Sequence, residues 1–253
     1  MAGFFVHGPG TCVPRYSCPE VIGSAQFELS TGVVVDARRA IWFSDVRVLA
    51  VADLHLGYAW AHRLSGQLMP ILPAADTHLR LAELQREYEP REIVVLGDIV
   101  HRAMALPMLE KEIRELWDTL SPQSQLTFLA GNHDRDLQKV LQQWSLPIEL
   151  LASRQIGQHL LVHGDAAVKD APQNLRIVMG HEHPAITIGD GVTTSQKCPC
   201  FLVSKDVLVL PAFSRWAAGT NIRAYPFMSE TARAAEFTQA IAICGERLLP
   251  IRL

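Results

Sequence analysis

Residues 92–101 read Glu-Ile-Val-Val-Leu-Gly-Asp-Ile-Val-His, and this stretch decides the fold class of the chain. The run Glu92–Leu96 predicts a strand covered on both faces, because buried parallel strands are nearly continuous in apolar residues. A glycine and a carboxylate, Gly97 and Asp98, stand where the strand ends. Helical spacing precedes the run over Ala74–Tyr88 and follows it over Met108–Leu120. This alternation predicts βαβ units and an α/β fold with a largely parallel sheet.

Further elements are predicted on both sides of this stretch. Before it, residues 26–29, 32–35 and 40–43 are brief β-prone runs separated by turns, and residues 46–51 form an apolar strand. After it, a strand is predicted over residues 125–129 and a helix over 137–144. Beyond residue 148 helical patterns become scarce, and a second, mixed or antiparallel sheet is predicted. Its strands are Gln158–Val162, Arg176–Met179, Ala185–Ile188, Cys200–Val203, Val207–Leu210 and Ala240–Cys244. Since no linker separates the halves, we expect residues 1–253 to form one domain.

The composition is that of a globular protein and excludes several classes. The 253 residues are 49% hydrophobic and 19% charged, which is too apolar for a disordered chain. A net charge of −3 argues against the basic surface of a non-specific nucleic-acid coat protein. No apolar run reaches the length of a membrane helix, and residues 1–7 lack the pattern of a secretion signal. We therefore expect a cytoplasmic protein without a membrane segment.

The cysteines predict no metal site and no disulfide framework. Their number, five, is odd and small, which favours a reducing compartment. Cys198 and Cys200 are separated by one residue, not the two that are usual in zinc sites. Cys12 and Cys18 fall in the irregular segment 1–24. We expect all five to be reduced and structural.

Side chains able to bind metals follow the ends of the predicted strands. The carboxyl ends of strands share one edge of an open α/β sheet, so these side chains are expected to converge. A helix cap or a turn explains any one of them, but their repeated occurrence favours a single site. Carboxylates, imidazoles and an amide without a thiolate suit Mn²⁺, Fe or Zn²⁺, and the number of groups favours two ions sharing a ligand. The set comprises Asp53, His55, Asp98, Asn132, His133, Asp134, His163, His181 and His183.

This ordered set resembles the calcineurin-like metallophosphoesterase superfamily, whose motifs D-x-H, G-D, G-N-H-D/E, a single H and G-H-x-H occur between residues 53 and 183. The resemblance implies two mixed β-sheets packed as a sandwich and flanked by α-helices. It also implies two divalent metal ions, Mn²⁺ first, with Fe or Zn as alternatives. One ion would be held by Asp53, His55 and His183 and the other by Asn132, His163 and His181, with Asp98 bridging both.

Three consecutive residues receive catalytic roles from the same resemblance. Asn132 would steady the developing charge on the phosphate. His133 would lie outside the ligand shell and stabilise the transition state or protonate the leaving oxygen. Asp134 would orient His133. The implied activity is metal-dependent hydrolysis of a phosphoester.

A narrower resemblance is to the DNA ligase-associated phosphoesterases, a group regarded as bacterial DNA-repair nucleases or phosphodiesterases. It is carried by Gly97–His101, where phosphatases commonly have Asp in place of His101, and by Asp53–Gly57, Gly180–Pro184 and Leu210–Ser214. The resemblance implies a phosphodiester substrate, such as single-stranded or end-containing DNA, and a functional association with a DNA ligase and a helicase. Few residues follow the last motif, which favours short, frayed or single-stranded ends over an enclosed duplex.

Several alternatives remain open from the sequence. His101, Arg102 and Arg135 are candidate substrate contacts, but a surface role explains each of them equally simply. The chain could instead hydrolyse nucleotides or small phosphoesters, or be a non-catalytic interaction module on the same scaffold. A late run of aromatic residues could bind a partner or cover the second sheet; it contains Phe213, Trp216, Tyr225 and Phe227.

Overall fold

The computed structural model describes residues 25–69, 74–168, 174–189 and 194–253. Segment 1–24, with Cys12 and Cys18, lies outside the described residues. The described chain forms two mixed β-sheets packed face to face with α-helices outside them, which confirms the predicted fold class.

The first sheet has seven strands in chain order. Strand β5 lies in its interior, between β4 and β6, and its bounds agree with the predicted run. Pairing is antiparallel from β1 to β4 and parallel from β4 to β7. The predicted alternation of strands and helices with parallel pairing is found from β4 to β6, whereas the short strands before β4 are joined by turns and pair antiparallel. The strands are β1 (Gln26–Ser30), β2 (Val33–Asp36), β3 (Ala40–Phe43), β4 (Val48–Val51), β5 (Glu92–Leu96), β6 (Gln125–Leu129) and β7 (Leu150–Leu151).

The second sheet is mixed, as predicted. Its strands are β8 (Ser153–Ile156), β9 (His159–Val162), β10 (Arg176–Met179), β11 (Pro184–Gly189), β12 (Ser195–Val203), β13 (Val207–Val209), β14 (Thr220–Asn221), β15 (Gln239–Cys244) and β16 (Arg247–Arg252). The order is β14-β11-β12-β13-β10-β9-β8, with β15 also paired to β12 and β16 to β15. The pairs β9–β10, β10–β13 and β11–β14 are parallel, which brings the carboxyl ends of β9 and β10 to one edge.

The described helices are α1 (Tyr58–Leu64), α2 (Ala74–Tyr88), α3 (Pro107–Leu120), α4 (Leu137–Gln143) and α5 (Glu230–Ala234). Three of them, α2, α3 and α4, cover the outer face of the first sheet, whereas α5 packs through Ala232 on the second sheet. Buried leucines and isoleucines of α2, α3 and α4 form one apolar layer with β4 and β5. Helix α3 begins at Pro107, where a missing amide proton is tolerated. None of the described helices has the length and apolar character needed to cross a membrane.

A second apolar layer lies between the two sheets and fixes their relative position. It includes Ile41, Ala50 and Val94 from the first sheet and Phe201 and Leu208 from the second, all fully buried. Burial of apolar surface on this scale is the main stabilising contribution to such a fold. The layer also places the carboxyl ends of the parallel strands of both sheets at the same end of the sandwich.

The cysteines of the second sheet are free thiols. Cys198 and Cys200 are buried in β12, and Cys244 ends β15. The Sγ atom of Cys244 lies 3.7 Å from Sγ of Cys198, so the nearest thiol to Cys198 comes from the neighbouring strand and not from Cys200. These three residues pack in the outer apolar layer of the sheet.

Candidate metal centre

The carboxyl ends of five strands supply the polar side chains of one site. The loops that carry them are held together by their own backbones. The amide of Asp53 donates to the carbonyl of Gly97 (3.2 Å), and the amide of His55 donates to the carbonyl of Asp98 (2.9 Å). The amide of His181 donates to the Asp53 carboxylate (3.1 Å), so the second sheet is tied directly to the first. The strands and the residues after them are β4 with Asp53 and His55, β5 with Asp98, β6 with Asn132, β9 with His163 and β10 with His181 and His183.

The predicted ligands fall into two overlapping groups, each able to hold an ion, and a third such group joins His55 to His101 and His133. In one group, ligand atoms of Asp53, His55, Asp98 and His183 lie within 4.8 Å of one another. The other group consists of Asp98, His163 and His181, whose ligand atoms also lie within 4.8 Å of one another. Asp98 is the one residue that the two groups share. Asn132 joins the second group, since its Oδ1 lies 3.2 Å from Nε2 of His163.

The arrangement of the imidazole nitrogens fits divalent cations. Nε2 of His55 lies 3.3 Å from Nε2 of His183, and Nδ1 of His181 lies 3.2 Å from Nε2 of His163. Lone pairs that converge in this way are stabilised by a cation between them. Nδ1 of His55 is buried and has no hydrogen-bond partner in the described chain. The carboxylate and imidazole donors, without a thiolate, suit Mn²⁺, Fe or Zn²⁺.

Burial sets the charge states of this site. Burial lowers the pKa of His55 to about 3, opposed by the Asp53 carboxylate and reinforced by His183. The ring is therefore neutral at pH 7, which is the form that binds a metal. Burial also raises the pKa of Asp98; His163 opposes this shift and Asp53 adds to it. Two buried carboxylates so close together favour the uptake of cations.

Five ligand candidates have left-handed backbone conformations. Their φ angles are 57° for Asp53, 47° for His55, 46° for Asp98, 65° for His181 and 44° for His183. Each such residue carries strain of about 1–3 kcal/mol, which persists only where the surroundings fix the conformation. The turns after β4, β5 and β10 are thus shaped to point side chains into the site.

A glycine allows two of the loops to approach closely. A Cβ atom on Gly97, whose φ is +75°, would collide with the ring of His163. Only glycine fits there without displacing a ligand candidate.

His133 stands on the open side of the site with 35% of its side chain exposed. Its Nδ1 lies 2.6 Å from the carbonyl oxygen of His101, and its Nε2 lies 3.9 Å from Oδ2 of Asp98. Its backbone amide donates to Oδ1 of Asp98 (3.0 Å). The ring is therefore oriented by a backbone carbonyl and faces the shared carboxylate.

Asp134 has different partners from those that the resemblance implies. Its carboxylate accepts hydrogen bonds from the amides of Gly131 (2.9 Å), Ile99 (3.2 Å) and Val100 (3.2 Å), and no bond to the His133 ring is present. Burial raises the pKa of Asp134 to about 6, although these amides favour the ionised form. Asp134 therefore ties the loop after β5 to the loop after β6, and its effect on His133 is exerted through the backbone.

His101 borders the site, whereas the two arginines lie further out. The ring centroid of His101 lies 5.7 Å from that of His55 and 5.4 Å from that of His133. Burial, followed by the charge of His133, lowers the pKa of His101 to about 4. Arg102 and Arg135 are exposed and form no salt bridge within the described chain. Both are thus free to contact a substrate.

The structure adds residues that the sequence analysis did not assign to the site. Glu182 is buried between two ligand candidates, and its carboxylate accepts the amides of Met228 (2.9 Å) and Ser229 (2.7 Å). Tyr58 and His62 bring their rings to 4.5 Å and 5.2 Å from that of His101. The four-residue spacing of Tyr58 and His62 was the available signal, since it places both on one face of a helix.

Comparison with known proteins identifies the family. A family model described as calcineurin-like phosphoesterase matches residues 46–209, which include every ligand candidate. The chain belongs to this family. It is a metal-dependent phosphoesterase. Among solved structures, the phosphoesterase is similar to the crystal structure of Pseudomonas putida nuclease MPE, with 21% identity and a TM-score of 0.66 over 89% of this chain and 98% of that one. This likeness shows a shared fold. Among curated proteins, none matches the phosphoesterase.

Proposed function

We propose that this phosphoesterase is a nuclease that hydrolyses phosphodiester bonds in DNA, at single strands or strand ends, and acts in DNA repair. The observation that carries the proposal is the convergence of six ligand candidates around a seventh, Asp98, with His133 beside them on the open side. A structural neighbour named as a nuclease supports the choice of nucleic acid. The motifs shared with the ligase-associated group support the repair role and a functional association with a DNA ligase and a helicase in the cytoplasm.

The ligand candidates would hold two divalent ions, with Mn²⁺ as the first expectation. One set is Asp53, His55 and His183, the other is Asn132, His163 and His181, and Asp98 belongs to both. When bound, such ions lower the pKa of a water molecule and neutralise charge on phosphate oxygens.

Two side chains act directly on the phosphoester: His133 acts on the departing oxygen, and Asn132 acts on the phosphate. Because a carbonyl oxygen accepts at Nδ1 of His133, that atom carries the proton in the neutral ring and Nε2 faces the site. Protonated at Nε2, the ring can donate to the departing oxygen, a contribution of roughly 10²–10⁴ in rate. The Asn132 amide steadies charge on the phosphate. His101, Arg102 and Arg135 would contact the phosphates on either side of the scissile bond.

The non-catalytic alternative lacks support in this chain. An interaction module on this scaffold is expected to have lost ligands, whereas all seven candidates are present and brought together here. Hydrolysis of nucleotides or small phosphoesters remains the second candidate, because the same ligand set serves both reactions.

A substrate panel with Mn²⁺ tests the proposal. We would assay bis(p-nitrophenyl) phosphate, p-nitrophenyl phosphate, a single-stranded oligonucleotide and a blunt duplex, each with the wild type and with His133→Ala. The expected order of kcat/KM places the single strand above the duplex and the diester above the monoester. Hydrolysis confined to the monoester would contradict the proposal and favour the second candidate.

A further inference from the structure

Two aromatic rings that are not ligand candidates lie at the border of the metal centre, and one of them contacts His101. Tyr58 on α1 and Trp216 have nearly parallel rings, with centroids 5.5 Å apart and planes inclined by 6°. The Tyr58 ring also lies 4.5 Å from His101, which in turn adjoins His133. We call Tyr58 and Trp216 the aromatic platform. The platform is connected to the proposed proton donor, because the Tyr58 ring contacts that of His101 and the His101 ring contacts that of His133.

The platform is not part of the protein core. Both rings are half-buried, and neither belongs to any of the three apolar clusters of the described chain. Other aromatic residues of the same stretch differ: Phe213 is fully buried in the first cluster, and Phe227 packs in the third. The expectation that this stretch covers the second sheet therefore holds for Phe227 and is wrong for Phe213, Trp216 and the exposed Tyr225.

The segment before Trp216 is held rigidly by two arginines. Arg39 donates from Nη1 to the carbonyls of Ala212 (2.8 Å) and Ser214 (2.7 Å). Arg80 donates from Nη2 to the carbonyl of Phe213 (2.7 Å) and lies 4.1 Å above its ring. Three successive carbonyls are thus fixed by buried or half-buried guanidinium groups. We call residues 212–214 the pinned segment.

The pinned segment connects the platform to the metal centre. The amide of Phe213 donates to the carbonyl of Ala52 (2.7 Å), and that of Ser214 donates to the carbonyl of Asp53 (3.1 Å). The Ser214 hydroxyl accepts from the amide of Trp216 (3.3 Å). Trp216 is therefore placed relative to Asp53 by short backbone contacts, and its ring is preorganised to bind a ligand.

We propose that the aromatic platform stacks a base of single-stranded DNA, next to the scissile phosphate. The inference rests on the proposed function and names the residues that recognise its substrate. Aromatic faces bind bases by stacking without regard to sequence, and unpaired strands leave those faces available. Two exposed arginines on the same elements, Arg63 on α1 and Arg215 beside Trp216, add positive charge for the flanking phosphates. Nε of Arg63 donates to the Met69 carbonyl, and Nε of Arg215 pairs with Asp76 (3.2 Å). A duplex keeps its bases stacked internally, so the platform selects for single strands.

The test uses oligonucleotides with one cleavable bond. All other linkages are methylphosphonates, and the nucleoside on either the 5′ or the 3′ side of the cleavable phosphodiester is thymidine or an abasic residue. Steady-state kcat/KM is measured for the Mn²⁺-loaded wild type, Trp216→Ala, Trp216→Phe and Tyr58→Ala, with melting temperatures as a check on folding. Tyr225→Ala is the matched control, because Tyr225 is 65% exposed and makes no ring contact within the described chain.

For the wild type, we expect removal of the base on one side to lower kcat/KM roughly 5- to 100-fold, mainly through KM. Trp216→Ala should show a similar loss on the intact oligonucleotide and no further loss on the abasic one. Trp216→Phe should retain most of the activity, and Tyr225→Ala all of it. Tryptophan fluorescence quenching by the oligonucleotide should decrease in Trp216→Phe.

The outcomes separate the two proposals. If the wild type cleaves neither these oligonucleotides nor an unmodified single strand, the proposed nuclease function fails. If it cleaves the thymidine and abasic substrates equally on both sides, the nuclease function stands and the platform is overturned. The wild-type comparison decides this even if a variant does not fold. Equal abasic losses in the wild type and in Trp216→Ala would likewise overturn the role of Trp216.

Discussion

The Nδ1 atom of His133 lies 2.6 Å from the backbone carbonyl oxygen of His101. A carbonyl cannot donate, so this contact selects the ring tautomer in which Nε2 is free to face the substrate. His101 therefore contributes through its backbone independently of its side chain. The motif Gly97–His101 and the motif that contains His133 are coupled by this bond.

Replacement of His133 should separate turnover from metal binding. In His133→Ala we expect kcat for a diester with a poor leaving group to fall roughly 10²- to 10⁴-fold, because the departing oxygen loses its proton donor. Metal content, measured by elemental analysis, should stay at the wild-type value. His159→Gln, at the start of β9, is the matched control. Undiminished cleavage of the poor substrate would remove the acid role.

Loss of Asp98 should affect both ion positions at once. This carboxylate belongs to both ligand groups and also accepts the amide of His133. We expect Asp98→Ala to lower bound metal from two ions per chain to fewer than one and to abolish hydrolysis. Elemental analysis and the diester assay measure this. A purified variant with full metal and full activity would show that the bridging assignment is wrong.

Glu182 should support the metal centre without binding an ion. Both of its carboxylate oxygens accept amides, from Met228 and Ser229, so Glu182→Gln would turn one amide donor toward another. We expect a loss of roughly 1–3 kcal/mol in stability and a weaker affinity for the metal, because the flanking ligands His181 and His183 lose their anchor. Thermal melting and metal titration test this. Glu230→Gln, at an exposed position, should change neither quantity.

Asp36 should make stability depend on pH at a place remote from the metal centre. Burial by itself would raise the pKa of Asp36, but hydrogen bonds from Arg38 and Tyr88 outweigh it and hold the pKa below its ordinary value. A depressed carboxyl pKa adds stability above the unfolded-state pKa, and this contribution is lost as the pH falls through the lower folded-state value.

The comparison of wild type with Asp36→Asn measures that contribution. At pH 7 we expect the variant to be less stable by about 1–2 kcal/mol, because the buried Asp36 carboxylate loses its ionic pairing with the partly exposed Arg38 guanidinium. The difference should diminish as the pH falls below about 4, where Asp is protonated in unfolded chains. Urea unfolding at several pH values provides the measurement. A difference that is independent of pH would contradict the assigned role of the ionised carboxylate.

The elements that sequence predicts best are those with long apolar periods. The predicted bounds of α2 and β5 agree with the structure, since tertiary packing and local pattern favour the same conformation there. The strand predicted from Val46 begins at Val48, because Ser44–Val46 form a 3₁₀ turn and Arg47 has a left-handed backbone. Helix α1 was not predicted, since seven residues are too few to show a helical period.

Side-chain environments are harder to predict than elements. Leu79 is an apolar residue of α2, yet it is 63% exposed, whereas Leu81 and Leu84 are fully buried. The ligand candidates could be predicted because each follows an apolar run in a short motif. The partners of Asp134 and the position of Trp216 could not, since both depend on contacts between segments far apart in sequence.

The left-handed turns that carry five ligand candidates have a consequence for how the protein takes up its ions. Hydrogen bonds between loops, such as those from Asp53 to Gly97 and from His55 to Asp98, stabilise the conformation of these turns. Folding therefore supplies part of the free energy that orders the ligands. A substitution that weakens these loop contacts should lower the affinity for metal even though it removes no ligand.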